Sequence, residues 1–243
     1  MSVALAALPL APAASAFSGG AAPSSGGATP SAPSSSGQGP QTQSGNVLVT
    51  AQGDGMSISS RASAILRGRL SVTGATTATA AGQTVAIERL GRETHWRWAP
   101  TTTAVVQSDG TFSAVWKVNH IGRFQLRAVV GSNPASRSAA ASPTVPITAY
   151  RPALATLYGP GFWGQSTACG ETLTRHTLGV ANRTLPCGTQ VALYYRGRTL
   201  VVPVIDRGPY ANGADWDLTM ATARKLGVTG TDTVAAVSLP PAN

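Results

Sequence analysis

One carboxylate ends an apolar run in the second half of the chain, a position from which an acid can take part in chemistry. Residues 200–205 read LVVPVI, Asp206 follows, and the segment closes with RGPY. The run predicts a buried strand that ends beside a tight turn. Partial burial favours the neutral form of a carboxylic acid, which can then act as a general acid and base. The alternative is structural, because an Asp can accept hydrogen bonds from the amides of its own turn.

The residue after this acid is a cation, Arg207. A guanidinium close to a carboxylate favours the anion and would oppose a role as proton donor. Successive side chains along an extended segment point to opposite faces. We therefore expect the Arg207 side chain to point away from Asp206.

Short strands and one helix are expected to position Asp206. Residues 184–210 contain three β runs with tight turns, and residues 196–198 form the predicted hairpin. Residues 214–227, ADWDLTMATARKLG, predict a helix in which Asp217 is the N-cap and Gly227 ends the last turn. With a closing strand in TDTVAAVSLP, residues 150–243 give about ninety residues of mostly strand, which suits a small closed β-barrel.

Residues 47–149 carry a different pattern, with apolar residues at every second position of short runs. The segments ATAAGQTVAIERL, TTTAVVQSDGTFSAVWKVN and GRFQLRAVVGS read as strands separated by Gly, Asn and Asp. This spacing predicts an antiparallel β-sandwich of immunoglobulin-like type, serving as a spacer or a wall-binding module. His95, Trp96 and Trp98 offer a platform for sugar rings, the alternative being half-buried tryptophans of an ordinary strand. Residues 139–152 contain three prolines and predict a final strand that runs into a linker.

The N-terminal part of the chain predicts no folded domain. Residues 1–16 are apolar and end in Ala-Ser-Ala, a triplet typical of a signal-peptidase site, so we interpret them as the remnant of an export signal. Residues 17–46 consist mainly of Gly, Ser, Pro and Ala and predict a disordered tether. No later stretch approaches the eighteen or so apolar residues of a membrane span, so we expect no transmembrane segment.

The chain is strongly basic, with 18 Lys and Arg against 9 acids and a net charge of +9. A basic surface fits nucleic acid, anionic lipid or an anionic cell-wall polymer, and charge alone does not choose between them. No basic cluster alternates with aromatic residues, so we expect no nucleic-acid partner, whereas anionic wall polymers remain candidates. The alternative is that the charge serves solubility and reflects a preference for Arg codons.

Two cysteines, Cys169 and Cys187, are the only ones in the chain. In an exported protein an even pair predicts a disulfide. A zinc site would need further ligands at short spacing, and His176 is the only nearby candidate. We therefore predict a disulfide and no metal site.

Four motifs in order make the C-terminal part similar to a known family. YGPGFWGQSTACGE, NRTLPCGT, VPVIDRGPY and DWDLTMATARKLG resemble, in order and spacing, the rare-lipoprotein-A (RlpA)-like proteins, over roughly residues 153–239. The resemblance implies a six-stranded double-psi β-barrel in an exported protein that cuts or binds the glycan strands of bacterial peptidoglycan. It implies no metal or organic cofactor.

The resemblance also carries site residues over by position. Glu171 matches the family's acid in the ACGE loop, Asp206 matches the acid of the DRGP motif, and Asp217 matches the acid that opens the helix. We assign Asp217 a structural role as the helix cap. Cys169 and Cys187 are also assigned a structural role. Asn182 is a departure, because many members have a histidine before the RTLP segment.

These matches imply a lytic transglycosylase of the septal-ring type. An acid protonates the leaving glycosidic oxygen, the sugar's own C6 hydroxyl closes on the anomeric carbon, and a 1,6-anhydro-muramyl product forms. We assign Asp206 as the acid and base and Glu171 as its electrostatic or positioning partner. The residues expected to bind substrate are Tyr158, Phe162, Trp163, Asn182, Arg207 and Tyr210.

Two other classes of function are open from the sequence. A non-catalytic, expansin-like protein that binds wall glycan is favoured by Asn182, which replaces a titratable side chain with an amide. A secreted inhibitor or interaction module would use only the barrel scaffold, since a fold does not fix a function. In each case we expect a bacterial protein that is secreted or associated with the cell wall.

Overall fold

The structure is a computed structural model that describes residues 41–131, 143–210 and 213–240. The predicted export signal at 1–16 and residues 17–40 of the predicted tether lie outside the described residues. The described chain is mainly β, as predicted, with one α-helix, α1 (Met220–Leu226). None of the helices in the described ranges combines the length and the apolar character that a membrane crossing requires.

The strands fall into two groups along the chain. The first group is β1 (Gln43–Ser44), β2 (Leu48–Gly53), β3 (Met56–Arg61), β4 (Ser63–Ile65), β5 (Arg69–Ala75), β6 (Thr84–Gly91), β7 (Ala99–Val105), β8 (Thr111–Lys117) and β9 (Gly122–Val130). The second group is β10 (Val145–Tyr158), β11 (Val180–Ala181), β12 (Gln190–Tyr195), β13 (Arg198–Asp206), β14 (Trp216–Thr219) and β15 (Asp232–Ser238).

Strands β2–β9 and the first part of β10 form two sheets that share one apolar core. One sheet has the order β2-β3-β5-β8, and the other runs β10-β9-β6-β7 with β4 paired to β10. Strand β8 shows why they stack, because its residues alternate between buried and exposed along TFSAVWK. Trp116 of β8 meets Phe124 of β9 edge to face, with ring centroids 5.9 Å apart. The result is the predicted β-sandwich, with the two-sheet order of an immunoglobulin-like domain.

Strand β10 corrects the predicted linker. Its first residues, from Val145, pair with β9 of the sandwich, and its later residues, from Arg151, pair with β15 of the barrel. The expected boundary at 149/150 therefore falls inside one continuous strand. The prolines that suggested a linker, Pro146 and Pro152, are both exposed within β10.

The second group of strands closes into a barrel. The order β14-β11-β13-β12-β15-β10 is completed by parallel pairing of β10 with β14, which gives six strands and no open edge. Apolar residues from all six strands fill the interior, among them Ala155, Val180, Leu193, Val204, Leu218 and Val234. The six-stranded barrel confirms the predicted fold.

Strand β1 corrects the end of the predicted tether. Gln43 and Ser44 pair antiparallel with Thr199 and Arg198 of β13, and the amide of Gly45 bonds the carbonyl of the hairpin residue Gly197. The tether was predicted to extend to residue 46. Its last residues instead extend the barrel sheet.

Candidate functional site

An irregularity in β13 turns Asp206 out of the barrel core. Val204 lies in the core and pairs with Val180 of β11, whereas the next pairing joins Ala181 to Asp206. Ile205 is thus an extra residue in β13, which is a β-bulge. Without it the two-residue period of a strand would send Asp206 to the same side as Val204. The bulge instead presents the carboxylate on the outer face of the barrel.

Two backbone amides hold the Asp206 carboxylate. Its Oδ1 accepts hydrogen bonds from the amide of Ala168, at 2.9 Å, and from the amide of Arg207, at 2.8 Å. The second bond lies within the acid's own turn, as the structural alternative expects, but the first comes from a distant loop. Within the described part of the chain Oδ2 accepts no hydrogen bond, so one oxygen remains available to a ligand.

Asp217 was expected to cap the helix, and that prediction is wrong. The N-cap of α1 is Thr219, whose side chain accepts from the amide of Thr222. Asp217 lies in β14 instead, where it pairs with Ala181 on the side opposite Asp206. Since Leu218 points into the core, Asp217 points outward and shares its face with Asp206.

The surroundings of Asp217 favour the protonated form of its carboxyl group. Burial raises the pKa of the Asp217 carboxyl, and the nearby charge of Asp206 raises it further. A hydrogen bond of 2.9 Å from the Thr156 hydroxyl to its Oδ1 acts in the opposite direction. Desolvation is the largest of these effects, so the folded protein holds the proton of Asp217 to higher pH than an exposed Asp would.

Tyr158 links the three acids of the site. It follows Thr156 by two residues in β10, so its ring is on the same outer face. Its phenol oxygen is buried and has no hydrogen-bond partner among the described residues. Burial raises the pKa of the Tyr158 phenol strongly, and the charges of Asp206, Asp217 and Glu171 add to the shift. The charges of all three carboxylates therefore contribute to the raised pKa of this one buried hydroxyl.

Glu171 lies in the loop that covers this face. The loop connects β10 to β11, and the amide of its Cys169 bonds the carbonyl of Ile205 at 3.2 Å, beside the bulge. The predicted disulfide between Cys169 and Cys187 is present, with a Cα–Cα distance of 5.6 Å. The Glu171 side chain is exposed and makes no hydrogen bond or ion pair within the described residues.

Three aromatic side chains of the predicted substrate set are accessible. Phe162 is 54% exposed, Trp163 36% and Tyr210 79%. The Arg175 guanidinium covers one face of the Trp163 ring, at 4.6 Å from the centroid. These rings leave apolar surface in the loop after β10 and in the segment after β13, and stacking on sugar faces requires surface of this kind.

Two polar residues predicted to bind substrate are occupied within the protein. The Arg207 guanidinium bonds the Leu185 carbonyl at 2.9 Å and the backbone carbonyl of Asp206 at 3.5 Å, and it forms no ion pair with the Asp206 carboxylate within the described residues. Asn182 accepts from the amides of Thr184 and Leu185, and it donates to the carbonyl of Asp215. Both contact sets favour a structural role over the predicted contact with substrate.

No metal site is built from the described residues, since no group of three or more His, Cys, Asp or Glu side chains is placed to hold an ion. The site is instead a cluster of the carboxylates of Asp206, Asp217 and Glu171, the phenol of Tyr158 and nearby exposed rings. Such a cluster can donate and accept protons.

The fold and a match to a family model define the class of the barrel. Residues 152–239 match the family model described as lytic transglycolase, a double-psi β-barrel domain. These residues therefore form an RlpA-like double-psi β-barrel domain.

The similar proteins are larger than the matched segment. A "Probable endolytic peptidoglycan transglycosylase RlpA" of Synechocystis is 43% identical over 31% of this chain and 24% of its own length. A protein of the same description from Aquifex aeolicus is 43% identical over 30% of this chain and 34% of its own. The chain thus spans about a quarter to a third of these curated relatives. A solved structure, Streptomyces papain inhibitor, is 27% identical over 36% of this chain and 94% of its own, but with a TM-score of 0.29 this match bears on neither fold nor function.

Proposed function

We propose that this protein is a peptidoglycan lytic transglycosylase that acts outside the cytoplasm on the glycan strands of the bacterial wall. The observation that carries the proposal is that Asp206 and Asp217 flank Ala181 on the outer face of the barrel, beside the loop that carries Glu171 and whose Ala168 amide bonds Asp206. The RlpA relatives, whose names give them this activity, support the same class of reaction.

The reaction needs one group that gives a proton and takes it back. In the proposed mechanism Asp206 presents Oδ2 to the glycosidic oxygen and protonates it as the bond to the anomeric carbon breaks. The C6 hydroxyl of the same sugar then attacks the anomeric carbon, and its proton passes to Asp206. The products are a free 4-hydroxyl on the leaving strand and a 1,6-anhydro sugar, so no water is consumed.

The other acids support this proton transfer electrostatically. Burial and the nearby charge of Asp206 raise the pKa of the Asp217 carboxyl, so Asp217 is assigned to hold a second proton beside the reacting acid. Glu171, exposed in the covering loop, is assigned to stabilise the positive charge that develops on the sugar ring. The Tyr158 hydroxyl is buried beside these acids and has no hydrogen-bond partner among the described residues, so it is assigned to support the acids and not to contact the substrate directly.

The test is product analysis on purified glycan strands from which the stem peptides have been removed. We expect the full chain to release 1,6-anhydro products detectable by mass spectrometry, and Asp206→Asn to reduce the rate by at least ~100-fold. Asp215→Asn is the matched control, since this half-exposed acid is paired with Arg183 at 3.6 Å and should leave the rate unchanged. Products with reducing ends would indicate a hydrolase and contradict the proposed chemistry.

A second candidate is a glycan-binding protein without catalysis. Asn182 favours it, since the amide stands where many family members have a histidine and all its hydrogen bonds are made within the protein. In that case the protein should sediment with purified wall and release no product. If the wild type and Asp206→Asn released anhydro product at the same slow rate, that result would also favour a binding protein without catalysis.

A further inference from the structure

A tight turn on the sandwich holds a tryptophan in an unusual backbone conformation. Between β6 and β7 the chain forms a single turn of 3-10 helix at Arg92–Thr94, and the next two residues, His95 and Trp96, have φ values of 53° and 57°. Bulky residues with positive φ are outliers, and such strain is found at ligand sites more often than elsewhere. The turn is closed by hydrogen bonds, one of them from the amide of Trp96 to the carbonyl of Gly91 at 3.0 Å.

The strained turn exposes the Trp96 ring between two cavities. The side chain is 66% exposed, although large aromatic residues usually pack. Cavities of about 370 Å³ and 460 Å³ are both lined by Trp96, Arg123 and Phe124. These volumes lie within the range of roughly 300–1,000 Å³ that is typical of small-ligand sites. The neighbouring Trp98 is different, because the Arg127 guanidinium covers its ring at 4.1 Å.

The unpaired charges around Trp96 are positive. Arg92 and Arg123 are exposed, line the first cavity and have no acidic partner within the described residues. The one acid of that cavity, Glu93, is bound by Arg89 and lies 3.2 Å from His120. An exposed ring beside two unpaired guanidinium groups suits a ligand that is both ring-shaped and anionic.

We propose that the sandwich carries a second saccharide site, in which Trp96 stacks on a sugar ring and Arg92 and Arg123 pair with carboxylates of the same strand. The identity of the polymer rests on the proposed function. Glycan strands without stem peptides carry a free lactyl carboxylate on every N-acetylmuramic acid residue, so they supply both sugar rings and negative charges. A sandwich site would retain a strand while the barrel acts on it, because linked sites raise the effective concentration of the substrate.

The test reads the two sites separately through tryptophan indole signals. The chain has five Trp, and the indole N–H of each gives its own signal in a ¹H–¹⁵N NMR spectrum of labelled protein. The full chain with Asp206→Asn, which limits turnover, is titrated with fragments of glycan strands free of stem peptides. We expect a saturable shift of the Trp96 signal, and Arg92→Gln with Arg123→Gln should weaken this binding at least ~10-fold. Arg61→Gln with Arg69→Gln, two exposed residues of the other sheet, is the matched control with the same net charge.

The outcomes distinguish this site from the barrel site. Shifts of Trp163 without any shift of Trp96 would support glycan binding at the barrel and overturn the sandwich site. A shift of Trp96 in a protein that releases no anhydro product would support the sandwich site while the proposed catalysis fails. Equal binding of a neutral N-acetylglucosamine tetramer, or equal binding by the two double variants, would overturn the specificity for an acidic saccharide.

Discussion

Replacing Asp217 with Asn should stabilise the folded protein at neutral pH while impairing glycan cleavage. Asp217 is half-buried on the outer face of the barrel, and both its burial and the charge of Asp206 disfavour its ionised form. An Asn side chain has nearly the same shape and can still accept the hydrogen bond from Thr156. The substitution therefore removes an unfavourable charge with little change in packing.

The repulsive part of this effect can be estimated from strand register. Asp206 and Asp217 pair with opposite sides of Ala181, so their Cα atoms are two strand spacings apart, or about 10 Å. Two unit charges at that distance repel by about 0.4 kcal/mol in water and by about 1.7 kcal/mol at an effective dielectric constant of about 20. We expect a net gain on the order of 1 kcal/mol at pH 7, or a rise in Tm of roughly 2–4 °C for a fold of this size.

The sign of the pH dependence follows from the raised pKa. The folded state binds the Asp217 proton more tightly than the unfolded state, so this residue costs stability as the pH rises through its folded pKa. The advantage of Asp217→Asn should be full at pH 7 and should disappear near pH 3, below the pKa of about 3.9 of an unfolded Asp. Urea denaturation at both pH values measures it, with Asp215→Asn as the control that changes the same charge at a half-exposed site.

Destabilisation of Asp217→Asn by the same amount at both pH values would refute this reasoning. It would mean that the hydrogen bond to Thr156, and not the charge, dominates the contribution of Asp217 to the fold.

Three other substitutions test the parts that position the site. Gly179→Ala should lower the free energy of unfolding, measured with urea, by about 1–3 kcal/mol, since the new Cβ would lie 2.6 Å from the Ile205 side chain. It should also slow glycan cleavage by disturbing the bulge. Replacing Cys169 and Cys187 with Ser should cost roughly 3 kcal/mol in the same assay, and reductant should no longer affect the variant. Tyr158→Phe should raise the urea midpoint, because it removes a buried hydroxyl that has no partner among the described residues, a group that costs about 1–3 kcal/mol. The same variant should release product more slowly. A fall in both the urea midpoint and the rate would indicate a structural role for the hydroxyl.

Several elements were predictable because local chemistry determines them. The hairpin between β12 and β13 turns at Arg196 and Gly197, which have φ values of 46° and 83°, as a two-residue turn of the primed type requires. The Cys169–Cys187 disulfide followed from the only cysteine pair in the chain. In each case a short run of residues held the information.

The features that were missed depend on distant partners. The bulge at Ile205 is invisible in the apolar run, because it arises from the pairing of β13 with two residues of β11. Asp217 was assigned to a helix because Asp is a good N-cap, although the apolar neighbours Trp216 and Leu218 alternate around it as in a strand. That alternation was the signal for an outward-facing acid, and it was short enough to be read as the start of a helix.

The outer face of the barrel concentrates groups that the fold alone would not favour. Asp217 bears a carboxyl whose ionisation is opposed by burial, Tyr158 bears a buried hydroxyl with no described partner, and Asp206 is directed outward only because β13 contains an extra residue. The core beneath them is different, since its residues are apolar and tightly enclosed. Local costs of this kind persist where function requires them and the surrounding structure compensates. The presence of these three unfavourable features on one face of the barrel is therefore a physical argument for a site, and it does not depend on family resemblance.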